Sequence, residues 1–139
     1  DIQRVFMYHG AEHKTINCFE AGVPLTPENV KKYSRYHKRC GTSFLFIVMI
    51  VSIIVFMFID APSAWMLSVI AGISYEFIMF AGRSDSWIAN ALSAPGKWVQ
   101  RLTTREPDLD MIEVAIASVE AVIDWREYQQ AMHDGKIEN

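Results

Sequence analysis

Three of the four histidines fall within the first 37 residues, and two of them sit in a pattern with chemical meaning. His9-Gly10-Ala11-Glu12-His13 fits H-x-x-E-H. On a helix, positions 9 and 13 lie one turn apart on the same face, so two imidazoles can ligate one metal ion. Glu12 borders that face and could act as general base on a water held by the metal. Glu20 follows His13 by seven residues and shares its face if the helix persists, and His37 and Cys40 form H-x-x-C further on. A catalytic zinc needs three protein ligands and an open position, whereas a structural zinc takes four. His9, His13 and one of Glu20, His37 or Cys40 would make the first. His9, His13, His37 and Cys40 would make the second. A divalent metal, zinc by preference, is the cofactor this donor set fits. The alternative is exposed helix histidines and a cysteine buried as a small apolar group.

These residues need a frame. The segment IQRVFMYHGAEHKTINCFEAG predicts a helix ending near Gly22, although Gly10 loosens it. Thr26 is a good N-cap with Pro27 at the first helical position, predicting a short basic helix through about Tyr36. Lys31, Lys32, Arg35, Lys38 and Arg39 then form a basic cluster suited to anionic lipid headgroups.

Residues 40–59 are twenty consecutive uncharged residues, and at about 1.5 Å per residue such a helix reaches roughly 30 Å, enough to cross a bilayer core. A short polar turn of Asp60, Ala61, Pro62 and Ser63 leads to a second apolar run, interrupted by Glu76 and closed by Arg83. The pair reads as a transmembrane hairpin; the alternative is a buried hairpin in a soluble core. The turn carries no Lys or Arg while both flanks do, so both outer segments are expected in the cytoplasm, with a multi-pass topology. Cys18 and Cys40 then face a reducing compartment and should not pair. Glu76 is an acid inside a span, which makes it either a functional group or a structurally paired one near the cytoplasmic interface.

After the hairpin, Ser93, Ala94, Pro95 and Gly96 predict a break, and Trp87 and Trp98 are spaced as interfacial anchors. Leu109, Ile112, Ile116, Val119 and Ile123 then recur at helical spacing. Residues 106–139 hold nine acids and two bases, and residues 1–41 hold seven bases and four acids. Opposite charge predicts that the tail helix docks on the N-terminal segment. Residues 133–139 read as frayed. The expected organisation is therefore an all-α membrane protein with a transmembrane helical hairpin and flanking cytoplasmic helices. Its parts are 1–39 with the histidine motif, 40–83 the hairpin, 84–107 an interfacial connection, and 108–139 an amphipathic helix and tail. Over 139 residues the net charge is −3, the pI about 5.8 and the mean hydropathy +0.12. Those values argue against a nucleic-acid partner and against a disordered chain. Because residue 1 is Asp, the chain reads as the tail of something longer.

Four blocks carry a resemblance. YHGAEHKTIN at 8–17, RCGTSF at 39–44, GISYEFIMFAGR at 72–83 and QRLTTREPD at 100–108 closely resemble the bacterial YqhQ-like family, a domain-of-unknown-function family numbered 1385. The resemblance extends to about Ile123 and implies an integral membrane protein catalogued as a metal-dependent enzyme. No substrate or catalytic residue comes with it. It does imply that His9, Glu12, His13, His37, Cys40, Glu76, Arg83 and the stretch from Arg105 to Asp108 fall within signature blocks.

Three functions follow from these residues. The first is a membrane-embedded metal-dependent hydrolase with its site at the cytoplasmic face, acting on a peptide or lipid-derived substrate. The second is a non-catalytic scaffold or assembly factor with a structural metal or none, docking on itself or another membrane protein. The third, suggested only by Glu76, is part of a transporter or channel. The lipid bilayer is a partner in all three.

Overall fold

The computed structural model describes residues 1–59, 63–83 and 86–136, and among them every regular element is a helix. The chain packs as two compact units, one made of Asp1–His37 with Thr103–Asn139, the other of Lys38–Leu102.

The first unit begins with α1, Ile2–Glu20. It ends as its sequence predicts. Gly22 adopts φ +69°, its N–H bonds to the Phe19 carbonyl, and the Val23 N–H reaches back to the Cys18 carbonyl. This is a Schellman motif, which uses the left-handed conformation that glycine adopts without a Cβ penalty. Thr26 caps α2, Pro27–Lys31, through a bond from the Asn29 N–H to its hydroxyl. The helix was expected to run to about Tyr36 but stops at Lys31, because α1 claims the carbonyls that follow. Lys14 Nζ donates to the carbonyls of Lys31 and Tyr33, His13 to that of Arg35, and Asn17 to those of Ser34 and Tyr36. Those oxygens are satisfied from the side, and the chain lies extended along α1.

The predicted docking of the tail is present within this unit. Helix α6, Leu109–Glu120, packs on α1 and α2. Charge is the smaller part of it. Ala11, Cys18, Leu25, Val30, Met111, Ile112, Ile116 and Trp125 form one apolar core, and non-directional burial of this kind is the main driving force of packing. Leu109 and Ile123 were expected on the buried stripe but are exposed, and Met111 takes the place. Leu109 is the first helical residue and Ile123 lies beyond the cap at Ala121, so neither is held by a full turn. A further short helix precedes the residues read as frayed. Trp125–His133 forms α7, capped by Asp124, which accepts from the N–H groups of Arg126 and Glu127. Phe19 and Tyr128 stack at 5.0 Å, and the buried Gln129 amide donates to the Val23 carbonyl. A second Schellman turn at Gly135 ends it; residues 137–139 lie outside the described residues.

The second unit holds α3, Gly41–Met57, α4, Ala64–Arg83, and α5, Trp87–Thr103. α3 and α4 pack together. The Arg39 side chain, just before α3, lies over Gly82 near the end of α4, so the two helices run antiparallel. The expected turn at Asp60, Ala61 and Pro62 lies outside the described residues. α4, with 20 residues, is long and apolar enough to cross a membrane; α3 is more apolar but has only 17 residues. Glu76 and Arg83 are both on exposed positions of α4. The break expected at 93–96 does not occur, and α5 runs straight through Pro95. Packing outweighs the missing N–H. Gly96 lets the helix close onto Ser43, whose hydroxyl accepts from the wholly buried Gln100 amide at 2.7 Å. Trp87 and Trp98 are exposed, as anchors would be.

Candidate metal centre

His9 and His13 point from one face of α1, with ring centroids 4.3 Å apart. Each ring is held by its Nδ1. His9 Nδ1 contacts the Thr103 carbonyl at 3.0 Å and His13 Nδ1 the Arg35 carbonyl at 2.7 Å. A carbonyl only accepts, so in both rings Nδ1 carries the hydrogen and Nε2 carries the lone pair. Metal-binding histidines are oriented in this way, with the second nitrogen fixed by a carbonyl or carboxylate.

The anchors depend on the two segments that lie against α1. Arg105 donates its N–H to the Phe6 carbonyl at 2.9 Å, and the Arg105 carbonyl rests on Gly10. A Cβ at position 10 would overlap that oxygen. Gly10 therefore does not loosen the motif; it admits the strand of backbone that orients His9. The Arg105 side chain is exposed, and its backbone is what meets α1. On the other side, Lys14 is 4% exposed and carries Lys31, Tyr33 and the Glu106 carboxylate at 2.7 Å. That cluster fixes the stretch presenting the Arg35 carbonyl. Lys14, Asn17 and Thr103 are positioning residues that sequence reasoning missed, since no spacing rule links them to the histidines.

Within the first unit, His9 and His13 are two side chains that could hold a metal ion through their Nε2 atoms. Imidazole ligands suit zinc. Of the three expected third ligands, Cys40 belongs to the second unit, where it is the N-cap residue of α3. The other two pair with each other, His37 Nε2 lying 3.3 Å from Glu20 Oε2. The His37 ring is 6.0 Å from that of His13.

Glu12 is exposed and lines a groove of about 460 Å³ between α1 and α6, flanked by Tyr8, Ile16, Val114, Val119 and Ile123.

Cys18 stands apart from this chemistry. It is fully buried in the apolar core, and burial raises its thiol pKa to about 11. The neutral thiol favours the folded state below pH 9.0, and that contribution is lost as pH rises through about 11. Iodoacetamide at pH 8 should leave Cys18 unmodified in the native protein and alkylate it after denaturation, read by peptide mass spectrometry. Native alkylation at the rate of a free thiol would contradict the buried core.

Residues 1–125 match the family described as Protein of unknown function (DUF1385). The chain belongs to that family. It is 42% identical over 126 residues to the Uncharacterized protein YqhQ of Bacillus subtilis (strain 168), a match covering 84% of this chain and 40% of the relative. The chain thus spans well under half the length of the family member it resembles. No solved structure matches it. The family match takes in the whole of α1, the Arg105 segment and Cys40, and stops as α7 begins.

Proposed function

We propose that this chain forms the site-bearing part of a membrane-embedded, metal-dependent hydrolase in the bacterial cell membrane. His9 and His13 hold the metal at the cytoplasmic face, with one of Glu20, His37 or Cys40 as the third ligand. The observation that carries the reading is the pair of Nδ1 anchors, because two adjacent imidazoles with both tautomers set for Nε2 ligation are arranged before any ion arrives. A divalent ion bound there supplies Lewis-acid activation of water. Glu12, which precedes His13 and follows His9 by one turn, is the base that takes a proton from the attacking water.

The membrane part of the reading rests on α4 and its surroundings. Only 22% of its apolar window is buried, whereas the core helix of a soluble protein would be mostly buried. Leu45, Met49, Ile53 and Met57 on α3 are likewise exposed, and outward apolar faces of this kind suit lipid. With α3 as the second span, the bases flanking the pair orient both ends to the cytoplasm.

Metal analysis of the purified protein tests the proposal. Wild type should carry zinc at one per chain, and His9→Ala and His13→Ala should lose most of it. A thiolate charge-transfer band in the cobalt-substituted protein that disappears in Cys40→Ser would identify Cys40 as the third ligand, and its absence would leave Glu20 or His37. Glu12→Gln should keep the metal and the fold while hydrolysis falls by about two to four orders of magnitude. Full activity in Glu12→Gln would favour a non-catalytic scaffold with a structural metal; unchanged metal in His9→Ala would end both readings.

A further inference from the structure

The groove between α1 and α6 continues into a second depression. The two share Ile123, and the second is lined by Asp124, Glu127, Tyr128 and Ala131 with a volume of about 280 Å³. The floor is apolar for a specific reason. Thr15 and Ser118 both border it, but each hydroxyl donates its hydrogen to the carbonyl four residues back, of Ala11 and Val114. Val122 stands on the rim, 82% exposed.

The charges on this face have one sign. Among the described residues lining the two depressions, Glu12, Asp124 and Glu127 are acids and none is basic. Asp124 is committed to capping α7. The neighbouring Arg126 lies over Trp125 and pairs with Glu120. Glu12 in the first depression and Glu127 in the second therefore remain as carboxylates along the apolar trough.

We infer that this trough is a docking site for a basic amphipathic helix of a partner protein, its apolar stripe on Ile16, Val119 and Ile123 and its Lys or Arg side chains on Glu12 and Glu127. An apolar trough between two helices accepts a helix by its apolar face, and its acids select positive flanks. A small amphiphilic cation would use one carboxylate only, whereas each depression carries one. The inference does not depend on a bound metal.

The test is binding of a fluorescent Leu/Lys amphipathic peptide of about 18 residues to the full chain in phosphatidylcholine nanodiscs, with binding to empty discs subtracted. Saturable one-to-one binding is expected. Val122→Asp should weaken it about tenfold or more, and the double variant Glu12→Gln with Glu127→Gln should weaken it by a similar factor. Asp134→Asn, an acid outside the trough, should leave it unchanged. Should Val122→Asp fail to fold, Ser118→Arg at an exposed position blocks the same trough with a bulky cation. Equal binding by the trough variants, or by a Leu/Glu peptide, overturns the inference. So does occupancy by dodecyltrimethylammonium with no peptide binding, or a dimer broken by Val122→Asp that ignores the peptide.

Discussion

Gly10→Ala is expected to destabilise the protein by about 3 kcal/mol and to release the metal. The sign makes the experiment informative. In an exposed helix interior the same change is stabilising by roughly 1 kcal/mol, because alanine is the better helix former. At position 10 the new Cβ meets the Arg105 carbonyl oxygen, a backbone atom that can yield only by moving the whole 103–105 segment. That movement would break the bond from Arg105 N–H to Phe6 and draw the Thr103 carbonyl away from His9. Overpacking alone costs about 1–3 kcal/mol, and unpairing buried polar groups adds to it. Gly72→Ala on α4 is the control, since nothing lies within 4 Å of a Cβ there. Thermal melts in detergent followed by circular dichroism, with zinc content measured on the same samples, give the comparison. A melting temperature unchanged or raised in Gly10→Ala would show that the segment does not press on α1.

Lys14→Met should be nearly as damaging, at about 3 kcal/mol, while Glu106→Gln should cost under about 1 kcal/mol. The asymmetry follows from burial. Glu106 is 63% exposed, so water screens its share of the ion pair and solvates it when the lysine is gone. The Lys31 and Tyr33 carbonyls share one donor, the Lys14 ammonium, which is itself buried. They sit over α1 with the Lys14 ammonium donating to both at 3.0 and 2.8 Å, and methionine fills the space without donating. Losing that donor also frees the stretch that presents the Arg35 carbonyl to His13, so zinc affinity should fall along with stability. Chemical denaturation of the two variants, with a metal titration of each, separates the roles. Equal losses in both would mean that the ion pair with Glu106, rather than the carbonyl cradle, holds the segment.

Much of this protein is legible without its structure. The start of α2 at Thr26, the end of α1 at Gly22 and the helical face shared by His9 and His13 are local matters. A cap, a left-handed glycine and a 3.6-residue period act over a few positions, and these residues state them directly. The four separated blocks likewise sufficed to assign the family, which the match over residues 1–125 bears out. Tail docking was also readable, though from charge, when the apolar core between α1 and α6 is what holds it.

The departures share a cause. Helix α2 stops early, α5 continues through Pro95, and Gly10 supports the motif it was expected to weaken. In each case the deciding partner is remote in sequence. His13 takes a carbonyl 22 residues away and His9 one 94 residues away, and Gln100 reaches Ser43 across 57. Periodicity says which way a histidine faces; it does not say which carbonyl waits there, or whether a glycine is a flaw or a passage for backbone. The residue types thus determined on their own that two imidazoles would share a face of an all-helical chain. Which nitrogen of each would carry the hydrogen was decided only when tertiary packing brought Arg35 and Thr103 against α1, because hydrogen bonds to main-chain carbonyls carry no signature in the side chains that precede them.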